Sequence, residues 1–207
     1  MVALPQLERL EAESIHVMRA AARAAQKGQC ACVLWLTGLS GAGKSTLAGL
    51  LDRRLYAMGR HSTVLDGDEV RQGLSRDLGF GEADRAENVR RVAEAAKLMA
   101  DAGLIVIVSL ISPRRADRRM ARERMASGEF IEIFVDTPLA EAERRDPKGL
   151  YRRARRGELK NFTGIDAPYE APQSPELRIA TLTESAEQGV ERILAYLARR
   201  GIARPDQ

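Results

Sequence analysis

Aromatic side chains are scarce in this sequence, at 4% of its 207 residues. A stacking platform for single-stranded nucleic acid needs several of them, so that class of function is poorly supplied. Long apolar runs are missing as well. The longest, LIVIVSLI at 104–111, is far short of the roughly 20 residues that cross a bilayer, so no membrane association is expected. Acidic residues interrupt the N-terminal stretch early, and no secretory leader is read there. Cysteine is limited to Cys30 and Cys32. One C-x-C pair makes neither a disulfide framework nor a zinc site, and we expect a reducing, cytoplasmic setting.

What is present is charge and hydrophobic patterning in ordinary globular proportion, 30% and 44% of residues, enough for one well-buried core. The net charge is +4. The basic residues gather at 114–124 and 144–160 rather than in a tail. With so few aromatics, small anionic substrates fit this balance better than nucleic acid.

Apolar spacing predicts an amphipathic helix over 5–27, then a strand at 32–37. A helix follows from Lys44 and stops at Gly59, before a second strand at 61–66. Residues 84–103 read as a helix burying Val89, Val92, Ala93, Ala96, Met99 and Ala100, with Asp84 and Glu87 placed as a capping box. The run 104–110 is apolar on both faces, as a central parallel strand is. A helix is expected over 112–126 with Pro113 in its first turn, a strand at 130–136, a helix from Pro138, a short strand at 178–182 and a last helix from Glu184. Strand and helix alternate, which defines an α/β domain: a doubly wound parallel sheet of about five strands with helices on both faces. Residues 30–207 form that domain, behind a helical extension at 1–29. The proline-rich, charged stretch 146–176 reads as an excursion over the site, with 146–162 a mobile lid.

GLSGAGKST at 38–46 is a complete phosphate-loop pattern between a predicted strand and a predicted helix. Glycines let successive N–H groups turn toward phosphate oxygens, and the helix adds its positive end. Gly38, Leu39, Ser40, Gly41, Ala42, Gly43, Lys44, Ser45 and Thr46 are the candidate ATP-binding residues. Lys44 reaches the β- and γ-phosphates, and Ser45 is a ligand for Mg²⁺. No Asn/Thr-Lys-x-Asp element for reading guanine occurs, which disfavours a GTPase. Strand 104–110 does not end in aspartate, which disfavours an ordinary Walker B ATPase. Asp66 and Asp68, at the end of the second strand, stand where a kinase places its acceptor.

Two readings are open for LDGDEVRQGL at 65–74. One carboxylate orders Mg²⁺ water while the other takes a proton from the acceptor hydroxyl, or the stretch is a helix N-cap with an i,i+3 ion pair between Asp68 and Arg71. Two are likewise open for DLGFGEADRAEN at 77–88. Phe80 stacks on a flat base while Arg85 and Asn88 grip an anion and a ring edge, or this is an exposed, salt-bridged helix start.

GLSGAGKST, LDGDEVRQGL, DLGF with DRAENVRR, ISP, IFVDTPL, RDPKGLYRRAR and NFTGIDAPYEAP occur in one order from Cys32 onward. Together they resemble the adenylylsulfate kinase family, and DPKGLY and FTGID are not general to P-loop kinases. The resemblance implies transfer of the γ-phosphate of ATP to the 3′-hydroxyl of adenylyl sulfate. It implies adenylyl sulfate contacts from Asp68, Arg71, Phe80, Arg85, Asn88, Ile111, Ser112, Lys148, Asn161 and Phe162, with adenine held between Phe80 and Phe162. Lys44 and Asp68 are then the catalytic pair, and Ser45 with Asp66 the Mg²⁺ site. Ser112 matches the family's phosphoserine position, although direct in-line transfer needs only positioning and charge stabilisation, and Ser-Pro at a helix start is an ordinary cap. Two positions depart from the family pattern: Glu69 replaces a usual Asn, and Arg114 a usual aromatic after ISP. LERLEAESIHVMR at 7–19 resembles the opening of the ATP sulfurylase small subunit. That helix is read either as a dock for that enzyme or as a packing or dimer helix, and a homodimer is expected.

Overall fold

The apolar run at 32–37 becomes β1 (Cys32–Thr37), buried at every residue. In the computed structural model, which describes residues 30–202, β1 lies at the centre of a five-stranded sheet ordered β2-β3-β1-β4-β5. The other strands are β2 (Ser62–Asp66), β3 (Ile105–Ser109), β4 (Phe130–Asp136) and β5 (Leu177–Ala180), and every pairing is parallel. The helices are α1 (Lys44–Ala57), α2 (Gly67–Gln72), α3 (Glu82–Asp101), α4 (Arg115–Glu123), α5 (Leu139–Arg145), α6 (Leu150–Arg155) and α7 (Ala186–Arg199). The helix expected over 5–27 lies outside the described residues. Among the described residues no helix is long and apolar enough to cross a membrane.

The period of two in β1 divides the core. Leu34 and Leu36 join Leu47, Leu51 and Leu55 of α1 and Ile193 and Leu197 of α7 on one face. Val33 and Trp35 join Val89, Val92, Ala93 and Ala96 of α3 and Ala121 of α4 on the other. Cys32 is part of the first core, and burial pushes its thiol up to about 12. A packing role therefore suits it better than a reactive one. Because all strands run the same way, the ends of β1, β2, β3 and β4 meet along one edge, where open α/β sheets bind ligands.

Several local expectations are corrected. α3 starts at Glu82 behind Gly81, with no side-chain cap. Glu87 does not complete a capping box but pairs with Arg90 and Arg91. A true capping box forms instead at Ser185 and Gln188, ahead of α7. Pro113 precedes α4 rather than opening it, and Ser112 is no cap: its φ is 39° and its hydroxyl is used elsewhere. The stretch after 146 carries a helix, α6, whose Tyr151 is buried and donates its hydroxyl to the Ser40 carbonyl at 3.0 Å. Its arginines are not left to repel one another. Arg155 pairs with Glu143 and Arg156 with Glu158, while Arg152 and Arg153 lie 3.5 Å from Asp146 and Glu158.

One buried charge ties three segments. Arg118 of α4 is 3% exposed. It donates to Glu132 Oε1 of β4 at 2.7 Å and to the Ser112 and Glu170 carbonyls, each at 2.6 Å. Removing one partner of a buried pair strands the other, whereas removing both can be nearly neutral. Glu132→Ala should therefore lose about 3 kcal/mol of stability. Arg118→Met with Glu132→Met should lose less. Urea unfolding of the two variants checks the order, and a double variant that is the worse of the two refutes it.

Candidate active site

The phosphate loop leaves β1 under a tight constraint. A Cβ on Gly38 would sit 2.5 Å from the Val135 carbonyl oxygen of β4, so only glycine passes. Gly43, the N-cap of α1, has φ 101°, a conformation that glycine adopts at little cost. Lys44 is buried, and Nζ donates to the Gly38 and Leu39 carbonyls at 3.0 and 2.8 Å. Leu39 packs below the loop with Ala142, Tyr151, Ala154 and Phe162. Tyr151 and the Ser40 carbonyl hold the loop's middle from outside.

Of the two readings of Asp66 and Asp68, the helix N-cap is present and the i,i+3 ion pair is not. Asp66 is the N-cap of α2, accepting from the Asp68 N–H at 3.0 Å. Its other oxygen accepts from Ser45 Oγ at 2.6 Å, and Ser109 Oγ lies 3.4 Å from the same Ser45 hydroxyl. Burial raises the Asp66 pKa, but the hydrogen bonds from Ser45, Asp68 and Ser109 and the nearby Lys148 charge outweigh it. The carboxyl therefore sits below its ordinary value. Asp68 does not pair with Arg71. Its partner is Lys148, from 80 residues away.

Arg71 turns instead to the next loop. It donates to the Leu78 and Gly79 carbonyls, at 3.2 and 2.7 Å, and lies 4.5 Å over the Phe80 ring. Phe80 is 63% exposed and takes no part in the core. Arg85 donates to the Phe80 carbonyl at 2.9 Å, to Thr163 Oγ1 and to the Asn161 carbonyl. Asn88 is buried, and its Oδ1 has no hydrogen-bond partner. Phe162 is 9% exposed and meets the Tyr151 ring edge-on, with centroids 5.0 Å apart.

Ser112 is 3% exposed. Its Oγ accepts from Trp35 Nε1 at 3.1 Å and donates to Thr37 Oγ1 at 3.0 Å. Thr37 also donates to the Ile111 carbonyl at 2.8 Å and contacts the Tyr169 hydroxyl at 3.0 Å. The residues that sequence reasoning missed are thus Thr37, Ser109, Thr163 and Asp166, whose carboxylate takes the N–H groups of Asn161 and Phe162. Thr163 and Asp166 fall inside the FTGID block. Nothing in the spacing singled out Thr37 or Ser109, which sit at strand ends.

A phosphate cradle at the end of a parallel strand, with a lysine and a hydroxyl on the following helix and a carboxylate at the end of the next strand, defines a P-loop phosphoryl-transfer fold. The chain belongs to the adenylylsulfate kinase family: the family model described as Adenylylsulphate kinase matches residues 30–180. An adenylyl-sulfate kinase of Marinobacter nauticus is 55% identical over 185 residues, covering 89% of this chain and 93% of that protein. The bifunctional enzyme NodQ of Rhizobium sp. (strain N33) is 64% identical over 183 residues, 88% of this chain. The chain spans only 28% of that relative's length. Among solved structures, the Mycobacterium tuberculosis APS kinase CysC in complex with AMPPNP and APS matches with a TM-score of 0.79 and 47% identity, over 82% of this chain and 98% of that one.

The Lys44 environment gives a direct test. Burial is the main cause that brings its pKa from 10.5 down to about 8. Asp66 and Asp68 oppose the fall, and Lys148 adds to it. Below pH 8 this lysine is charged in the folded and unfolded chains alike. Between 8 and 10.5 the folded chain has lost the proton that the unfolded chain keeps, so stability from this group rises with pH across that window. Wild type should gain on the order of 3 kcal/mol relative to Lys44→Met from pH 8 to 10.5. Denaturant titrations at several pH values read it, and a pH-independent difference counts against the burial of this charge.

Proposed function

We propose that the chain transfers the γ-phosphoryl group of ATP to the 3′-hydroxyl of adenylyl sulfate, giving 3′-phosphoadenylyl sulfate and ADP. The observation that carries this reading is the meeting, at one sheet edge, of the Lys44–Ser45–Asp66 cradle with the Asp68–Lys148 pair and the exposed Phe80 ring. Phosphoryl transfer asks little covalent chemistry of the protein; positioning and charge stabilisation do most of it. Backbone N–H groups of 38–45 and the Lys44 ammonium face the charge that spreads over the transferring group. Asp68 stands to take the acceptor's hydroxyl proton, and Lys148 orients that carboxylate.

The Ser45 hydroxyl, the Asp66 carboxylate and the Ser109 hydroxyl are hard oxygen donors, and they fit Mg²⁺. Among the described residues no cluster of three or more His, Cys, Asp or Glu gathers for a metal. Mg²⁺ in kinases ordinarily takes one or two carboxylates and fills its shell from phosphates and water. When bound, it supplies neutralisation of the β- and γ-phosphate charge. Ser45 and Asp66 would hold it.

On this reading Phe80 stacks on the acceptor's adenine. Phe80→Ala should raise the KM for adenylyl sulfate by the equivalent of roughly 1–3 kcal/mol while leaving the KM for ATP almost unchanged. A coupled ADP assay with purified chain measures both. Absence of ADP formation above the acceptor-free rate in wild type would sink the function itself.

Ser112 is a positioning residue here and carries no phosphoryl group. Its hydroxyl is buried and engaged on both sides, by Trp35 and Thr37. Ser112→Ala should keep substantial turnover. Wild type incubated with γ-labelled ATP alone should remain unlabelled. Label that is held on protein and chased into product by adenylyl sulfate refutes direct transfer.

A further inference from the structure

Arg114 stands at the N-cap of α4, in extended conformation, and its side chain caps nothing. A cation at the positive end of a helix gains nothing from that helix. Its guanidinium reaches across instead to Glu82, the first residue of α3. Glu82 follows directly on the Gly79–Phe80–Gly81 turn, which Arg71 and Arg85 hold from the other side. Arg114 follows directly on the Ile111–Ser112–Pro113 loop, which Thr37 and Arg118 hold from below. The ion pair therefore joins the residues that follow the two loops, at the near ends of two helices that pack together further along through Ala121 and the Arg124–Glu94 pair. Asp117 lies within electrostatic reach of both partners. The pair is exposed, 39% and 67% for the two side chains, so it acts on spacing rather than on global stability.

We infer that the Arg114–Glu82 pair is a strut that sets the distance between the Phe80 turn and the Ile111–Ser112 loop, making both residues positioning residues for the nucleotide acceptor. The inference rests on the function proposed above. It gives a reason for a cation at position 114, where the family usually has an aromatic: a charge pair joins the two loops here.

The test is a charge-reversal set in the full chain, with KM for adenylyl sulfate, KM for ATP and kcat measured separately. Arg114→Ala and Glu82→Ala should each raise KM for adenylyl sulfate by about two- to fivefold, leaving the other two constants nearly unchanged. Arg114→Glu should raise it further, by setting two carboxylates against each other. Arg114→Glu with Glu82→Arg should bring it back toward the wild-type value, a recovery that loss of a merely structural residue does not show. Unmoved KM in the alanine variants, or no recovery in the reversed pair, overturns the strut while the proposed function stands. Wild type without turnover of adenylyl sulfate overturns the function and the strut together.

Discussion

The passage of Gly38 beneath the Val135 carbonyl constrains everything built above it. β4 is paired in register with β1, Leu36 opposite Ile133, so the loop must leave the sheet past an oxygen that leaves no space for a side chain. The chain then curls back on itself. Lys44 closes the curl by donating to the two carbonyls at its start. The hydrophobic cluster of Leu39, Ala142, Tyr151, Ala154 and Phe162 fills the space outside. A phosphate site needs several N–H groups aimed at one point, and that aim is fixed by packing on both sides of the loop rather than by its glycines alone.

Charge in the site is arranged in crossed pairs. Lys44 lies nearest Asp66 in electrostatic terms, yet hydrogen-bonds only to carbonyls. Asp66 takes its hydrogen bonds from a hydroxyl and a backbone N–H, and Lys148 is spent on Asp68. The buried ammonium is thus offset by carboxylates without being locked to one. On the function proposed above, a lysine held by neutral acceptors is available to an incoming phosphate, where a direct carboxylate bridge would compete for it. Burial is the main reason that its pKa falls, and the carboxylates work against that fall.

Elements that carry their own signal were legible in the sequence. β1 and β3 are apolar runs, β4 alternates, the phosphate loop is a pattern with a mechanism, and Asp66 and Asp68 stand at a strand end. Contacts between distant segments were not. Arg85 finds Thr163 and Asn161 more than 70 residues on, and Lys148 finds Asp68 across 80. No spacing rule encodes such pairs. The short charged helix α6 was hidden because its burial rests on two residues, Tyr151 and Ala154, within a basic stretch. Asp84 and Glu87 imitated a capping box because spacing matched, while the chain had already entered the helix at Glu82. The capping box at Ser185 is hidden because the apolar spacing places the helix start at Glu184, two residues ahead of Ala186.

Backbone strain follows the site rather than the fold. Among the described residues three non-glycines have positive φ: Ser112 at 39°, Asp146 at 23° and Asn161 at 57°. Each such residue costs on the order of 1–3 kcal/mol and persists only where its surroundings over-determine it. Each is over-determined here. Ser112 is held through its hydroxyl by Trp35 and Thr37 and through its carbonyl by Arg118. Asp146 holds its own turn by accepting the N–H groups of Tyr151 and Arg152, at 3.0 and 3.1 Å. Asn161 donates to Asp166 and accepts from Arg85. Two of the three, Ser112 and Asn161, belong to the acceptor side as the family resemblance places it, and the third opens the segment that carries Lys148. Ser112, fixed by three partners, cannot drift without losing one of them. On the function proposed above, the reaction depends on holding two nucleotides in line, and fixed acceptor-side residues serve that positioning.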